Sequence, residues 1–345
     1  MFEWGNAQMK IGKIPETVLK RSVLKQITNN REEVLVGAGV GEDCAILALK
    51  EDEVMVLSTD PITGTRKDIG KLAIHITMND LASAGAEPIG VLLSMLLPEK
   101  STEADIKEIM RQVNEECEKL KIQTIGGHTE VTGAVNTPIL TVTGVGKAKK
   151  GKFIKTGGSK IGQDVVITKW IGLEGTSILA KEKEELLAEK FSSSFINKAK
   201  EFDQYLSVIP EAACAVKSGV SAMHDVTEGG IFGALWEVAE SANVGLEIDL
   251  KKIPVKQETI EISEFFEINP YNLISSGSMI IVSDDGHKLV NSLEKEDIHS
   301  VVVGKITKGK DRVIINDGER RFLEPPKTDE LYLALRKKEK RGEAL

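Results

Sequence analysis

The sequence predicts a two-domain protein built from α/β alternation, and three observations carry that reading. The chain has 345 residues, more than a single hydrophobic core usually organises. Its first half alternates apolar, β-branched runs with segments of helical period. A polar, Lys- and Gly-rich stretch, KAKKGKFIKTGGSKIGQD (147–164), then interrupts both periods before a second alternation begins. The expected division is an N-terminal domain over 1–150 and a C-terminal domain over 151–345.

The elements follow in order. VMVLSTD (54–60) reads as a buried strand that breaks at Pro61, since proline fixes φ and lacks a donor. A helix is expected from about Ile69 to Ala84, then a buried strand in GVLLSMLLP (90–98). After Pro98, the residues Ile106, Ile109, Met110, Val113, Cys117 and Leu120 recur at helical spacing behind the candidate caps Ser101 and Thr102, which predicts an amphipathic helix with Cys117 in its core face. TPILTVTGVG (137–146) is the next strand. Beyond the crossing come a strand in VVITKW (165–170), a helix after Gly175, a helix around IFGALWEVAESA (231–242), and strands near LEIDL (246–250) and SMIIV (278–282). The terminal KKEKRGEAL reads as a charged, solvated helix end.

Composition narrows the function. Hydrophobic residues make up 41% and charged residues 28%, with a net charge of −8. That balance argues against a dedicated nucleic-acid binder, which presents a basic face. No apolar run reaches the ~18–20 residues of a membrane span, and the N-terminus MFEWGNAQMKIGKIPE lacks the apolar core of an export signal. Cys44, Cys117 and Cys214 lie far apart without C-x-x-C spacing. A reducing cytoplasmic setting is expected.

Carboxylates mark the candidate site. GAGVGEDCAIL (37–47) places Gly37, Gly39 and Gly41 at alternate positions before Glu42 and Asp43, a spacing that matches neither the dinucleotide fingerprint nor the P-loop. Acids beside bare phosphate repel it; a Mg²⁺ between them reconciles the two, because that ion takes one or two carboxylates and fills its shell from water and phosphate oxygens. Asp60 in STD and Asp80 in MNDLASAGA stand at other element boundaries. The three acids are candidates for one Mg²⁺–phosphate site, against the bland reading of each as a turn former or cap. In DIGKLAIHITMNDLASAGAEP, Asp80 lies late in an otherwise apolar helix, where a carboxylate needs a cation or several donors. Lys71 in the same segment is either a phosphate contact or a solvated side chain.

Two further stretches carry chemistry. GGHTEVTG (126–133) pairs Gly126 and Gly127, which allow close backbone approach, with Thr129 and Glu130 as metal or hydroxyl contacts. His128 reads first as a turn residue, with base or ligand as alternatives. HDVTEGGIFGALWEVAESA sets Asp225, Thr227, Gly229 and Gly230 before a helix. Exposed N–H groups at a helix start favour phosphate or carboxylate. The competing reading makes Thr227 or Asp225 the N-cap and the glycines a packing feature.

Taken in order, GVGEDCAIL, STD, DIGKLAIHITMNDLASAGAEP, GGHTE and HDVTEGG resemble the AIR synthase superfamily. Within it, IGKLAI…NDLASAGAEP and TGGSKIGQDVVITKWIGLEGTSILA resemble the hydrogenase-maturation branch, HypE, most closely. The resemblance spans nearly the whole chain. It implies an N-terminal α/β domain whose strands contribute to a dimeric β-barrel and a C-terminal α+β domain, with ATP between them. It implies Asp43, with Glu42 beside it, Asp60 and Asp80 as Mg²⁺ or ATP residues, Asn79 as part of the shared N-D-L, and Lys71 near the phosphates. Gly126, Gly127 and Thr129 would join the nucleotide site, Glu130 the metal, and Thr227, Gly229 and Gly230 the substrate side. Asp225 and His224 would assist proton transfer or orient the acceptor.

Two departures accompany it. His128 stands where relatives carry an acid, and imidazole is a poor Mg²⁺ ligand, so Glu130 would take over or one metal position would be weak. The chain ends EKRGEAL, with no cysteine after Cys214, where HypE ends in a cysteine that carries the group to be dehydrated. The implied function is a Mg-ATP-dependent enzyme activating an amide or carbonyl-type oxygen by phosphorylation, with the acceptor thiol supplied from elsewhere, by a protein partner. The alternatives are a non-catalytic ATP-binding assembly or regulatory protein, and a small-metabolite kinase or AIR synthase-like enzyme. A homodimer is expected, without nucleic acid or membrane.

Overall fold

A computed structural model of the chain describes residues 12–39, 44–63 and 67–337. Glu42 and Asp43 of the opening motif, and the charged tail beyond Lys337, lie outside the described residues. The described residues form two compact units: one runs to Ala82 and resumes over Ala86–Phe153, and the other takes Ser83–Gly85 and the chain from Ile154 onward.

In the first unit the elements are β1 (Gly12–Lys13), α1 (Glu16–Val18), β2 (Val34–Val36), β3 (Ile46–Leu47), β4 (Glu53–Ile62), α2 (Ile69–Ser83), β5 (Glu87–Leu97), α3 (Glu103–Leu120), β6 (Gln123–Val131) and β7 (Ile139–Lys149). Five strands make one sheet in the order β1-β6-β5-β7-β4, and β2 pairs with β3. β5 and β6 are parallel, a pairing that requires a crossover, supplied by α3. That helix opens on a capping box between Thr102 and Asp105 and buries Ile106, Ile109, Met110, Val113 and Cys117. Burial pushes the Cys117 thiol up to about 12, so it is core packing. α2 lies close on the sheet: a Cβ on Gly144 of β7 would come 2.7 Å from Thr77.

Three expectations change here. β4 does not break at Pro61 but runs through it, opposite Thr141 of β7. It also is not buried: Met55 and Leu57 are 48% and 59% exposed. Both follow from its place at the sheet edge, where an absent proline N–H breaks no ladder and one face stays open. GGHTE is not a turn but the middle of β6. Gly127 permits it, with φ of 147° and a Cβ position only 2.0 Å from the Leu93 carbonyl oxygen, room that only glycine leaves.

The second unit contains β8 (Asp164–Thr168), α4 (Leu173–Glu182), α5 (Glu184–Leu187), α6 (Ser193–Lys200), α7 (Ile209–Ser218), β9 (Ala222–Asp225), α8 (Gly230–Ala242), β10 (Gly245–Asp249), α9 (Gln257–Phe266), β11 (Met279–Ser283), α10 (Gly286–Glu294), β12 (Ser300–Thr307), β13 (Arg312–Asn316), β14 (Glu319–Phe322) and α11 (Glu330–Arg336). Its seven strands run β14-β13-β10-β12-β8-β11-β9, mixed in direction because only β10 and β13 are parallel. α8 buries Ile231, Ala234, Leu235 and Val238 against this sheet. The helix expected after Gly175 begins earlier, at Leu173, with left-handed Gly172 as its cap. Gly175 is instead an internal packing position, where a Cβ would press on Leu273 at 2.5 Å. Among the described residues no helix is long and apolar enough to cross a membrane.

Candidate functional site

In the first unit, Asp60 and Asp80 meet at Ser58. Ser58 and Asp60 are two apart on β4 and so share a face. From that face the Ser58 hydroxyl donates to Asp80 Oδ2 on α2, while Asp60 Oδ2 lies 3.5 Å from the Ser58 hydroxyl oxygen. One hydroxyl has one hydrogen to give, so two carboxylates compete for it. This is a hard-oxygen set of the type Mg²⁺ accepts, and it fits the ion the motifs implied. Period-2 reading of STD would have found Ser58.

The neighbouring helix residues divide. Asn79 is fully buried, inside the packing of α2. Lys71 precedes Asp80 by nine residues on one helix, which places it about half a turn around and roughly 13 Å along the axis. The helix does not bring these two together.

The glycine-rich stretches do converge. Ala38 and Gly39, at the start of the opening motif, line one cavity of about 110 Å³ with Gly126, Gly127, His128 and Thr129 of β6, over an apolar floor including Leu93, Met95 and Met110. Thr129 is buried, whereas His128 faces outward beside Glu130, Nε2 to Oε2 3.2 Å. Glu130 stands apart from the Asp60–Asp80 pair, because β5 and β7 separate β6 from β4. Three strand spacings amount to about 14 Å, too far to share an ion within one chain. Among the described residues no group of three or more His, Cys, Asp or Glu side chains is arranged to hold a metal ion; Asp43, the third acid of the expected set, lies outside them.

In the second unit β9 runs into α8 through Thr227–Gly230, and the strand's alternation parts its two chemical residues. Asp225 is buried and accepts from the Ser83 hydroxyl at 3.0 Å. His224 turns toward α8 and pairs its Nε2 with Glu237 Oε2 at 2.9 Å. Neither Thr227 nor Asp225 caps α8; Gly229 does, in the left-handed conformation. Gly230 is left-handed too, φ 62°, and a Cβ there would sit 2.5 Å from the Tyr271 carbonyl oxygen, so the double glycine is a steric requirement.

The exposed N–H expected at this helix start is occupied. Gly229 N–H donates to Asp329 Oδ2 at 2.8 Å, and Asp329 Oδ1 accepts from Ile274 N at 3.2 Å and Leu331 N at 2.8 Å. Burial raises the Asp329 carboxyl above its ordinary value. Nearby, the Tyr332 hydroxyl donates to Glu228 at 2.6 Å. Glu174, 2% exposed, accepts from Ser276 N, and burial pushes it up to about 7, with Asp329 and Glu228 adding to the rise. Asp329 was legible as a cap before ELYLALR, but nothing local tells that it reaches back to Gly229.

A first unit that gathers carboxylates at an edge strand, followed by a seven-stranded mixed unit with a double-glycine helix start, defines a two-domain mixed α/β class. The chain belongs to the AIR synthase related family. Residues 41–148 match the family's N-terminal domain and residues 160–316 its C-terminal domain, together most of the sequence. Among curated relatives, a Methanocaldococcus jannaschii protein named provisionally for hydrogenase expression/formation is 27% identical over 316 residues, 88% of this chain and 91% of that protein. The carbamoyl dehydratase HypE of Cupriavidus necator is 28% identical over 249 residues, 70% of this chain and 69% of that one. Among solved structures, a HypE in complex with ATP superposes with a TM-score of 0.76 at 18% identity, over 93% of this chain and 97% of that one; at that identity it speaks for the fold.

Proposed function

We propose that the chain is a HypE-like, Mg-ATP-dependent enzyme of hydrogenase maturation that activates an amide or carbonyl-type oxygen by phosphorylation. The observation that carries the reading is the Asp60–Ser58–Asp80 arrangement, in a chain whose relatives include carbamoyl dehydratases and whose fold matches a protein that binds ATP. Asp60 and Asp80, joined by Asp43, would hold Mg²⁺; Gly126, Gly127 and Thr129 would bound the nucleotide. When bound, the metal would offset phosphate charge during phosphoryl transfer. Ser58 fixes Asp80 against β4, and Ser83 fixes Asp225, which orients the acceptor. His224, held by Glu237, would keep the other face of β9. Glu130 with His128 would form a separate outward pair.

The acceptor would come from outside the described residues, on a partner. Met55 and Leu57, exposed on one face of the edge strand β4 at 48% and 59%, support a second copy as dimer partner, since exposed neighbouring apolar side chains mark interfaces. The test is Mg-ATP turnover, with ADP, AMP and phosphate read separately, alone and with a carbamoylated cysteine peptide, thiamine monophosphate or formylglycinamidine ribonucleotide. ADP release stimulated by the peptide supports the reading. Stimulation by either phosphorylated metabolite instead assigns a metabolite kinase or AIR synthase-like enzyme, and tight binding without turnover assigns an assembly protein.

A further inference from the structure

The start of a helix is an anion site in most proteins that leave it open, because free N–H groups and the helix dipole both favour negative charge. Here the position is filled from within the chain. Asp329 is 2% exposed and spends one carboxylate oxygen on Gly229 N–H, the other on Ile274 and Leu331 N–H. Charge-assisted bonds to three backbone donors are among the stronger polar contacts available to a carboxylate. The covering segment also packs on the loop: the Pro326 side chain lies 3.2 Å from the Cβ position of Gly229, and Tyr332 holds Glu228. Glu228 acts electrostatically on Asp329, raising its carboxyl further. An incoming phosphate would therefore meet no vacant donor at Gly229, and charge of its own sign around it.

We infer that Asp329 is a resident anion at the start of α8 and a specificity determinant: it excludes acceptors that would place a phosphate against Gly229. The selectivity rests on the proposed reading that the Thr227–Gly230 loop faces the acceptor; the occupancy rests on the geometry alone. Wells of this kind discriminate by repulsion as much as by attraction.

The test uses the full chain labelled with ¹⁵N-glycine, with inorganic phosphate as the probe and no nucleotide or metal. In the wild type, phosphate leaves the Gly229 amide resonance in place. In Asp329→Ser, which vacates the position, phosphate shifts that resonance and binds at least ten-fold more tightly than to the wild type. In Asp329→Asn, which keeps a side chain of the same shape over Gly229, the resonance again stays in place. A saturable Gly229 shift in the wild type overturns the inference, and so does a folded Asp329→Ser variant indifferent to phosphate. If the serine variant does not fold, Asp329→Ala, which also vacates the position, is read in its place with the same two outcomes. Mg-ATP turnover with the carbamoylated cysteine peptide is read on a separate aliquot of the wild type: its absence refutes the proposed function and leaves the Gly229 result standing, whereas a wild-type phosphate response refutes the role of Asp329 with turnover intact.

Discussion

Ser58 gives its hydroxyl hydrogen to Asp80, and this bond ties the edge strand β4 to helix α2 at the point where Asp60 also arrives. The bond joins the two elements near their acidic ends.

Asp80→Asn is expected to abolish Mg-ATP turnover while leaving circular dichroism and thermal unfolding near those of the wild type, since the amide can still accept from Ser58. Near-normal turnover would remove Asp80 from the site. Ser58→Ala, which frees both carboxylates to reorient, is expected to weaken Mg-ATP binding about ten-fold by calorimetry, with Ser58→Thr restoring it.

Leu57→Lys places a charge on the open face of β4. If the chain pairs with a second copy there, light scattering will report a dimer for the wild type and a monomer for this variant. A wild-type monomer at all accessible concentrations would count against the dimer.

Glu174 supplies a pH dependence of defined sign. Its folded carboxyl sits at about 7, above the ordinary 4.5, so between those values the folded state holds more protons than the unfolded one. Stability is present below about 4.5 and falls as pH rises through 7, by up to about 3 kcal/mol. Glu174→Gln keeps an acceptor for Ser276 and removes the ionisation. It is expected to stabilise the protein at pH 8 and to change little at pH 4.5, read by urea unfolding at both values; equal effects at both would refute the assignment.

Lys169 and Glu211 form a buried pair, Nζ to Oε1 2.6 Å, and the Lys169 ammonium also donates to the carbonyls of Tyr205 and Ser207 at 2.8 and 2.6 Å. Removing one partner strands a buried charge, so Glu211→Ala is expected to cost about 3–5 kcal/mol in denaturant unfolding. Lys169→Met combined with Glu211→Leu should cost clearly less than the two single changes added together. Additivity would show that the pair is not coupled.

Much of this was legible beforehand because it is local. The period of Ile106–Val113 specifies α3, and the apolar run 90–98 specifies β5, since each pattern needs only its own neighbours. Pro61 and GGHTE misled for the same reason read backwards: a proline and a glycine pair are turn signals until one knows that β4 is an edge strand and that β6 passes against Leu93. Asp60 and Asp80 could be named from sequence, and period 2 sets Ser58 on the face of Asp60, but its bond to Asp80 on α2 belongs to the fold alone.

The sequence by itself determined the type of the strongly periodic elements, the order of the motifs and, through their order, the family. Only the tertiary structure decided which side chains share a space: that Glu130 is three strand spacings from Asp60, that Asp225 and His224 leave β9 on opposite sides, and that Asp329 returns across a hundred residues of chain to Gly229. The physical reason is range. Periodicity, capping and turn chemistry act over a few residues, whereas strand order and the closure of a distant segment are set by which buried surfaces and backbone donors find partners in the folded whole.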